Sequence, residues 1–103
     1  MTIQTYIATT ALGNAYVSSG NTAITSLTLC NWGVSNVTAN LFVVPSGNSA
    51  STSNQMWYHL PLTSGDTYQL YAAAEKLLLG PGDSVQANVT SNSVTIITSY
   101  TSI

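Results

Sequence analysis

Charge is what this sequence has least of. Its 103 residues hold one Lys, no Arg and three acids, so 4% are charged, where a soluble domain usually carries about 25%. A single cation cannot make the basic patch that nucleic-acid binding needs. Cys30 is the only cysteine, which excludes an intrachain disulfide. His59 is the only histidine and the one ready general base. The acids Asp66, Glu75 and Asp83 stand mostly in turn contexts, where Asp serves nearby backbone amides. No nucleophile and orienting acid keep register with His59, and one His with one Cys falls short of the three or four ligands of a zinc site. The sequence therefore predicts no enzyme, no metal and no cofactor. No apolar run approaches the ~20 residues of a membrane helix. Residues 1–10 lack the cationic start and apolar core of a signal peptide. The expectation is a soluble protein made in the cytoplasm, with neither membrane nor nucleic acid as partner.

What is present is a β pattern. Hydrophobic residues make up 45% of the chain and aromatic residues 9%, too many for disorder, and the polar remainder is Ser, Thr, Asn and Gln. The stretch 22–47, TAITSLTLCNWGVSNVTANLFVVPSG, organises the rest. In its first run Ala23, Thr25, Leu27 and Leu29 share a face against Ile24, Ser26, Thr28 and Cys30. In its second, Val37, Ala39, Leu41 and Val43 stand against Thr38, Asn40, Phe42 and Val44. This alternation predicts two strands joined as a β-hairpin, with the loop 31–36 between them and Trp32 at its tip.

Further strands are expected at 3–8, where Ile3, Thr5 and Ile7 oppose Tyr6, and at 15–18, 55–60, 66–73, 84–90 and 94–101, with a short apolar run at 77–79 and one possible helical turn at 72–76. On the last strand Val94, Ile96, Thr98 and Tyr100 share a face. Residues 45–54, PSGNSASTSN, read as a loop. Pro81-Gly82 predicts a type II turn with Gly82 at positive φ, echoed by Ser64-Gly65-Asp66. Seven or eight short strands spaced about ten residues apart, without a helical period, indicate an all-β fold: one antiparallel β-sandwich spanning 1–103, jelly-roll or immunoglobulin-like. The predicted core is Leu27, Leu29, Leu41, Val43, Leu70, Val85, Val89 and Ile96. At 10.8 kDa such a domain folds to roughly 5,500 Å² of surface.

A surface with so little charge is poorly protected against self-association, so a homo-oligomer or a subunit of a symmetric lattice is expected. The aromatic residues Trp32, Trp57, Tyr58, Tyr68 and Tyr71 suit a core or a protein interface, and they also suit a carbohydrate platform. Trp32, Asn36, Trp57, Tyr58 and Tyr71 are the candidate interface residues. Trp32 either anchors a partner or folds back to cap the core. The loops 31–36 and 46–54 are expected to present contact surfaces. The triplets beginning at Asn36 and Asn88 match a glycosylation pattern by chance in a chain this rich in Asn and Thr.

Several stretches together resemble the small structural proteins of tailed bacteriophages. These are the apolar-Cys-Asn strand end at Leu29, Cys30 and Asn31, the exit Val44-Pro45-Ser46-Gly47, and the run Leu77 to Asp83 leading into Val85. The similarity covers nearly the whole chain and rests on turn and core signatures. It implies a β-sandwich virion component that binds other virion proteins of capsid, neck or tail. The alternative is a lectin-like module of a phage adsorption apparatus.

Overall fold

The computed structural model describes residues 2–70 and 77–103, with Leu70 placed by its backbone alone. Tyr71, the possible helical turn at 72–76 and the side chain of Leu70 thus lie outside the described residues. Nine strands occur among those described: β1 (Thr2–Ala8), β2 (Gly13–Val17), β3 (Thr22–Asn31), β4 (Val37–Val44), β5 (Gln55–Leu62), β6 (Thr67–Leu70), β7 (Leu77–Leu79), β8 (Ser84–Val89) and β9 (Val94–Ser102). Their order is β1-β9-β3-β6 in sheet A, where β7 also pairs with β3, and β2-β8-β4-β5 in sheet B. All pairings are antiparallel. Among the described residues no helix is long and apolar enough to cross a membrane.

The pairing is nested. β4 pairs with β5, β3 with β6, β2 with β8 and β1 with β9, as if one long hairpin had been laid out and then rolled. Rolling brings β9 against β3 and β8 against β4, which closes the two sheets. This is the jelly-roll order, a double sheet built from Greek keys.

The nesting corrects the expected central hairpin. β3 and β4 belong to different sheets, so the loop after Asn31 is an arch across the sandwich. Leu27 and Leu29 face Ala39 and Leu41 across the core instead of lying beside them. All four are fully buried in a single apolar cluster with Val85, Ala87 and Ile96. Alternation along each run is the same for a hairpin and for an arch, since either way one face is buried.

A second correction concerns Ile24. The pairing of β3 with β9 shifts between Ile24 and Ser26, a bulge that adds one residue and reverses face parity. Ile24 therefore joins Leu27 and Leu29 in the core, although simple alternation puts it on the opposite face. Val43 keeps its inward parity near the end of β4 and is half-buried against the core. Of the apolar run 77–79, Leu79 is buried and Leu78 is exposed. Cys30 is half-buried on the outer face of sheet A. Val94, Ile96 and Thr98 point inward as expected. The accessible surface is 5402 Å², close to what the chain's mass implies.

Aromatic side chains close the long sides of the sandwich. On one, the Tyr6 ring lies directly over Gly13, linking β1 of sheet A to β2 of sheet B. On the other, Trp57 of β5 meets Tyr68 of β6 edge-on, ring centres 5.0 Å apart at 83°. That geometry sets the positive ring edge against the negative face.

Candidate interaction site

Four connections gather at one end of the sandwich: 9–12, 32–36, 63–66 and 90–93. Asn31 ties three of them together. It continues the inward parity of Leu27 and Leu29 and is 0% exposed, a position a polar side chain tolerates only when its hydrogen bonds are made. They are made in full. Nδ2 donates to the carbonyls of Ser35 at 2.9 Å and Leu62 at 3.0 Å. Oδ1 accepts from the Gly33 amide at 3.1 Å and the Ser93 hydroxyl at 3.0 Å. The Asn31 backbone adds bonds to Asp66 O and from Gly65 N. Gly33 is required here by close approach: a Cβ would stand 2.6 Å from the Cβ of Ser93.

On this base sits Trp32. Its amide donates to Ser93 O at 3.0 Å and its indole Nε1 donates to Thr95 Oγ1 at 2.9 Å. The ring is nevertheless 57% exposed. It does not cap the core; it stands outside sheet A, fixed at two points. Asn36, at the far side of the same arch, is exposed and accepts from Ser64 N at 3.1 Å, while Ser64 Oγ donates to Gly33 O at 2.6 Å. Beside Asn36 lies a cavity of about 250 Å³ lined by Val37, Thr38, Pro61, Leu62, Thr63 and Thr90. That is below the roughly 300–1,000 Å³ of small-molecule sites and of a size for one protruding side chain. Asp66 carries the only charge on these four connections. The end thus offers an oriented indole and a small hollow of mixed threonine and apolar lining on a nearly uncharged surface.

The remaining candidates lie elsewhere. Trp57 faces inward and packs on the core. Tyr58, its neighbour, is 70% exposed and stacks on His59, ring centres 3.7 Å apart. The two form a bulge opposite Asn40, because pairing jumps from Ala39–Leu60 to Leu41–Trp57. His59 takes φ 55° there, uncommon for a residue with a side chain. Its amide donates to Asn40 Oδ1 at 2.8 Å, and Asn40 Nδ2 donates to Asn88 Oδ1 at 3.0 Å.

The loop 46–54 lies at the opposite end of the sandwich from 31–36. There Asp83 plays the part that Asn31 plays above, accepting from Gly80 N at 2.9 Å and Ser46 N at 2.8 Å. These two amides hold its carboxyl below the usual carboxylate range, Gly80 more than Ser46. The loop is ordered by its own bonds: Ser51 caps a 3-10 turn, Thr52–Asn54, and Asn54 reaches back to Ser51 N.

Among the described residues no three His, Cys, Asp or Glu side chains gather as metal ligands; Cys30 and His59 are on different sheets. Fold and site define a jelly-roll β-sandwich with an aromatic-tipped, nearly uncharged end. No protein-family model, curated protein or solved structure matches the chain. Trp32 and Asn36 stand out in the sequence as candidate interface residues, whereas Asn31, Ser93 and Thr95 have no interface role there. One available signal was an Asn at the inward position of an otherwise apolar strand.

Proposed function

We propose that this protein is a non-enzymatic structural subunit of a tailed-bacteriophage virion, an accessory component that binds capsid, neck or tail proteins through the Asn31 end. The observation that carries the reading is Trp32, an exposed residue whose indole donates to Thr95 Oγ1 and whose backbone amide donates to Ser93 O, on a fully bonded base. Interface energy concentrates in such aromatic anchors, and pre-orientation lowers the entropy lost on binding. The scarcity of charge supports it too, since the cores of protein interfaces are depleted of charged side chains. The jelly roll recurs in viral capsid and lectin domains, an analogy of fold that assigns no role by itself. The test is incorporation of Trp32→Ala into particles, with cross-linking to identify the partner. Loss of an anchor costs ~2 kcal/mol or more, so affinity should fall about thirtyfold. Equal incorporation of the variant overturns the reading.

A second reading, a carbohydrate-binding module of a phage adsorption apparatus, is favoured by the other face. The Tyr58–His59 stack beside the Asn40–Asn88 pair sets an exposed ring next to amides, and backbone strain of the His59 kind clusters at binding sites. Saturable glycan binding lost in Tyr58→Ala, with no incorporation into particles, would decide for it.

A further inference from the structure

The sandwich has four sheet edges, and three are blunted in ways that discourage pairing with another chain. β2 has five residues and a register shift between Asn14 and Tyr16. β5 is shifted twice, carries Pro61, which has no amide hydrogen, and holds His59 in the left-handed region. The edge beyond β3 is divided between β6 and β7, four and three residues long.

β1 uses none of these devices. Its seven residues pair with β9 one for one, from Thr2–Tyr100 to Ala8–Val94, without a shift. It contains no charge, no Pro and no Gly. On its outer face Ile3 is 64% and Ile7 55% exposed.

We propose that β1 is the docking edge for a second copy of this chain, paired antiparallel about a two-fold axis through Thr5, so that two four-strand paths β1-β9-β3-β6 become one continuous sheet. The strand's own sequence selects this occupant. Ile3-Gln4-Thr5-Tyr6-Ile7 is nearly symmetric about Thr5, and a two-fold interface must match a surface to itself. With the axis at Thr5, Ile3 of each copy lies opposite Ile7 of the other on the outer face, and Gln4 lies opposite Tyr6. Both exposed isoleucines thereby gain directly opposed apolar partners. An axis centred on a residue suits either phase of the antiparallel ladder, hydrogen-bonded or not. Neither β1 nor β9 bears a charged side chain, so the two copies meet without repulsion at the seam. The dimer uses none of the loops at the Asn31 end and stands or falls separately from the virion role.

Sedimentation equilibrium over micromolar to submillimolar concentrations tests it, with wild type expected to show a monomer–dimer equilibrium. Ile3→Lys/Ile7→Lys sets like charges opposite each other twice and should raise the dissociation constant at least about tenfold. Ile3→Lys/Ile7→Glu sets opposite charges in the same places and should restore most of the association. Both sites are exposed, so both variants should melt near the wild-type temperature. In a Cys30→Ser background, Thr5→Cys should form a disulfide-linked dimer, because opposed Cα atoms lie about 4.5–5.5 Å apart. Ile3→Cys should not, because its own counterpart is displaced by four residues, about 13 Å along the strand. A wild type that stays monomeric throughout, a dimer indifferent to the charge pattern, or equal cross-linking at positions 3 and 5 overturns the proposal.

Discussion

Removing the Asn31 side chain as Asn31→Ala should be the costliest polar substitution at the interaction end. Four hydrogen bonds disappear. Two of them, to Leu62 O and from Ser93 Oγ, are buried, and a buried group left unpaired costs ~1–3 kcal/mol. The bonds to Ser35 O and from Gly33 N are part-buried; water can replace them, so ~0.5 kcal/mol each is appropriate. The sum is ~3–7 kcal/mol, against the ~5–15 kcal/mol that holds a domain folded. A loss of ~3 kcal/mol lowers the melting temperature by about 12 °C or more in a domain of this size. Urea titration followed by circular dichroism measures it directly. Asn36→Ala is the control, since that side chain is exposed and its one hydrogen bond is to Ser64 N; it should cost ~0.5 kcal/mol. A double-mutant cycle with Ser93→Ala should give positive coupling, because the two side chains share a bond. If Asn31→Ala costs less than ~1 kcal/mol, or no more than Asn36→Ala, Asn31 is not what holds these loops, and the rigid base assigned to Trp32 fails with it.

Thr98→Val should stabilise the protein by ~1 kcal/mol in the same titration, because Thr98 Oγ1 is buried without a hydrogen-bond partner and an isosteric methyl removes that unpaired group; a loss of stability would reveal a bond. Gly82→Ala should cost ~1–2 kcal/mol, since Gly82 sits at φ 83°, in the left-handed region where a Cβ is penalised, and the new Cβ would come within 2.5 Å of Ser46 Oγ. Gly20→Ala, with nothing within 4 Å, should stay within ~0.5 kcal/mol. Asp83 has its folded pKa lowered, so its contribution is present above the unfolded value and lost as pH falls through the folded one. Urea midpoints followed downward from about pH 5 should decline less steeply in Asp83→Asn than in wild type.

The fold class was legible because strand periodicity and turn chemistry are local. The inward row Val94, Ile96 and Thr98, and the positive φ of Gly82, follow from alternation and from the Pro-Gly pair alone. Partner choice was not legible. Nothing local to residues 22–47 says whether β3 pairs with β4 or faces it, since each strand buries one face in either case; the six-residue loop and the inward Asn31 were the hints. Ile24 was misplaced because a bulge at Thr25 leaves no mark in apolar alternation. Trp32 and Asn36 were legible as loop residues worth attention. That Asn31, Ser93 and Thr95 hold Trp32 in place depends on contacts more than sixty residues apart, which no local pattern carries. Tyr58 and His59 read as strand residues, and only the skipped register opposite Asn40 turns them outward as a stacked pair.

The position of β9 bears on how the molecule is made. It runs between β1 and β3, so sheet A has no middle until residues 94–102 have left the ribosome. By then β1 has been out for about ninety residues, some 5–20 s at ordinary synthesis rates. The pairing of β1 with β9 spans nearly the entire described chain, and such high contact order makes folding slow. Throughout the delay, Thr- and Ile-rich strands wait unpaired with scarcely a charge between them to keep neighbouring nascent chains apart. Yield in the cell should therefore depend on synthesis rate, temperature and chaperone supply more steeply than the stability of the finished sandwich would suggest.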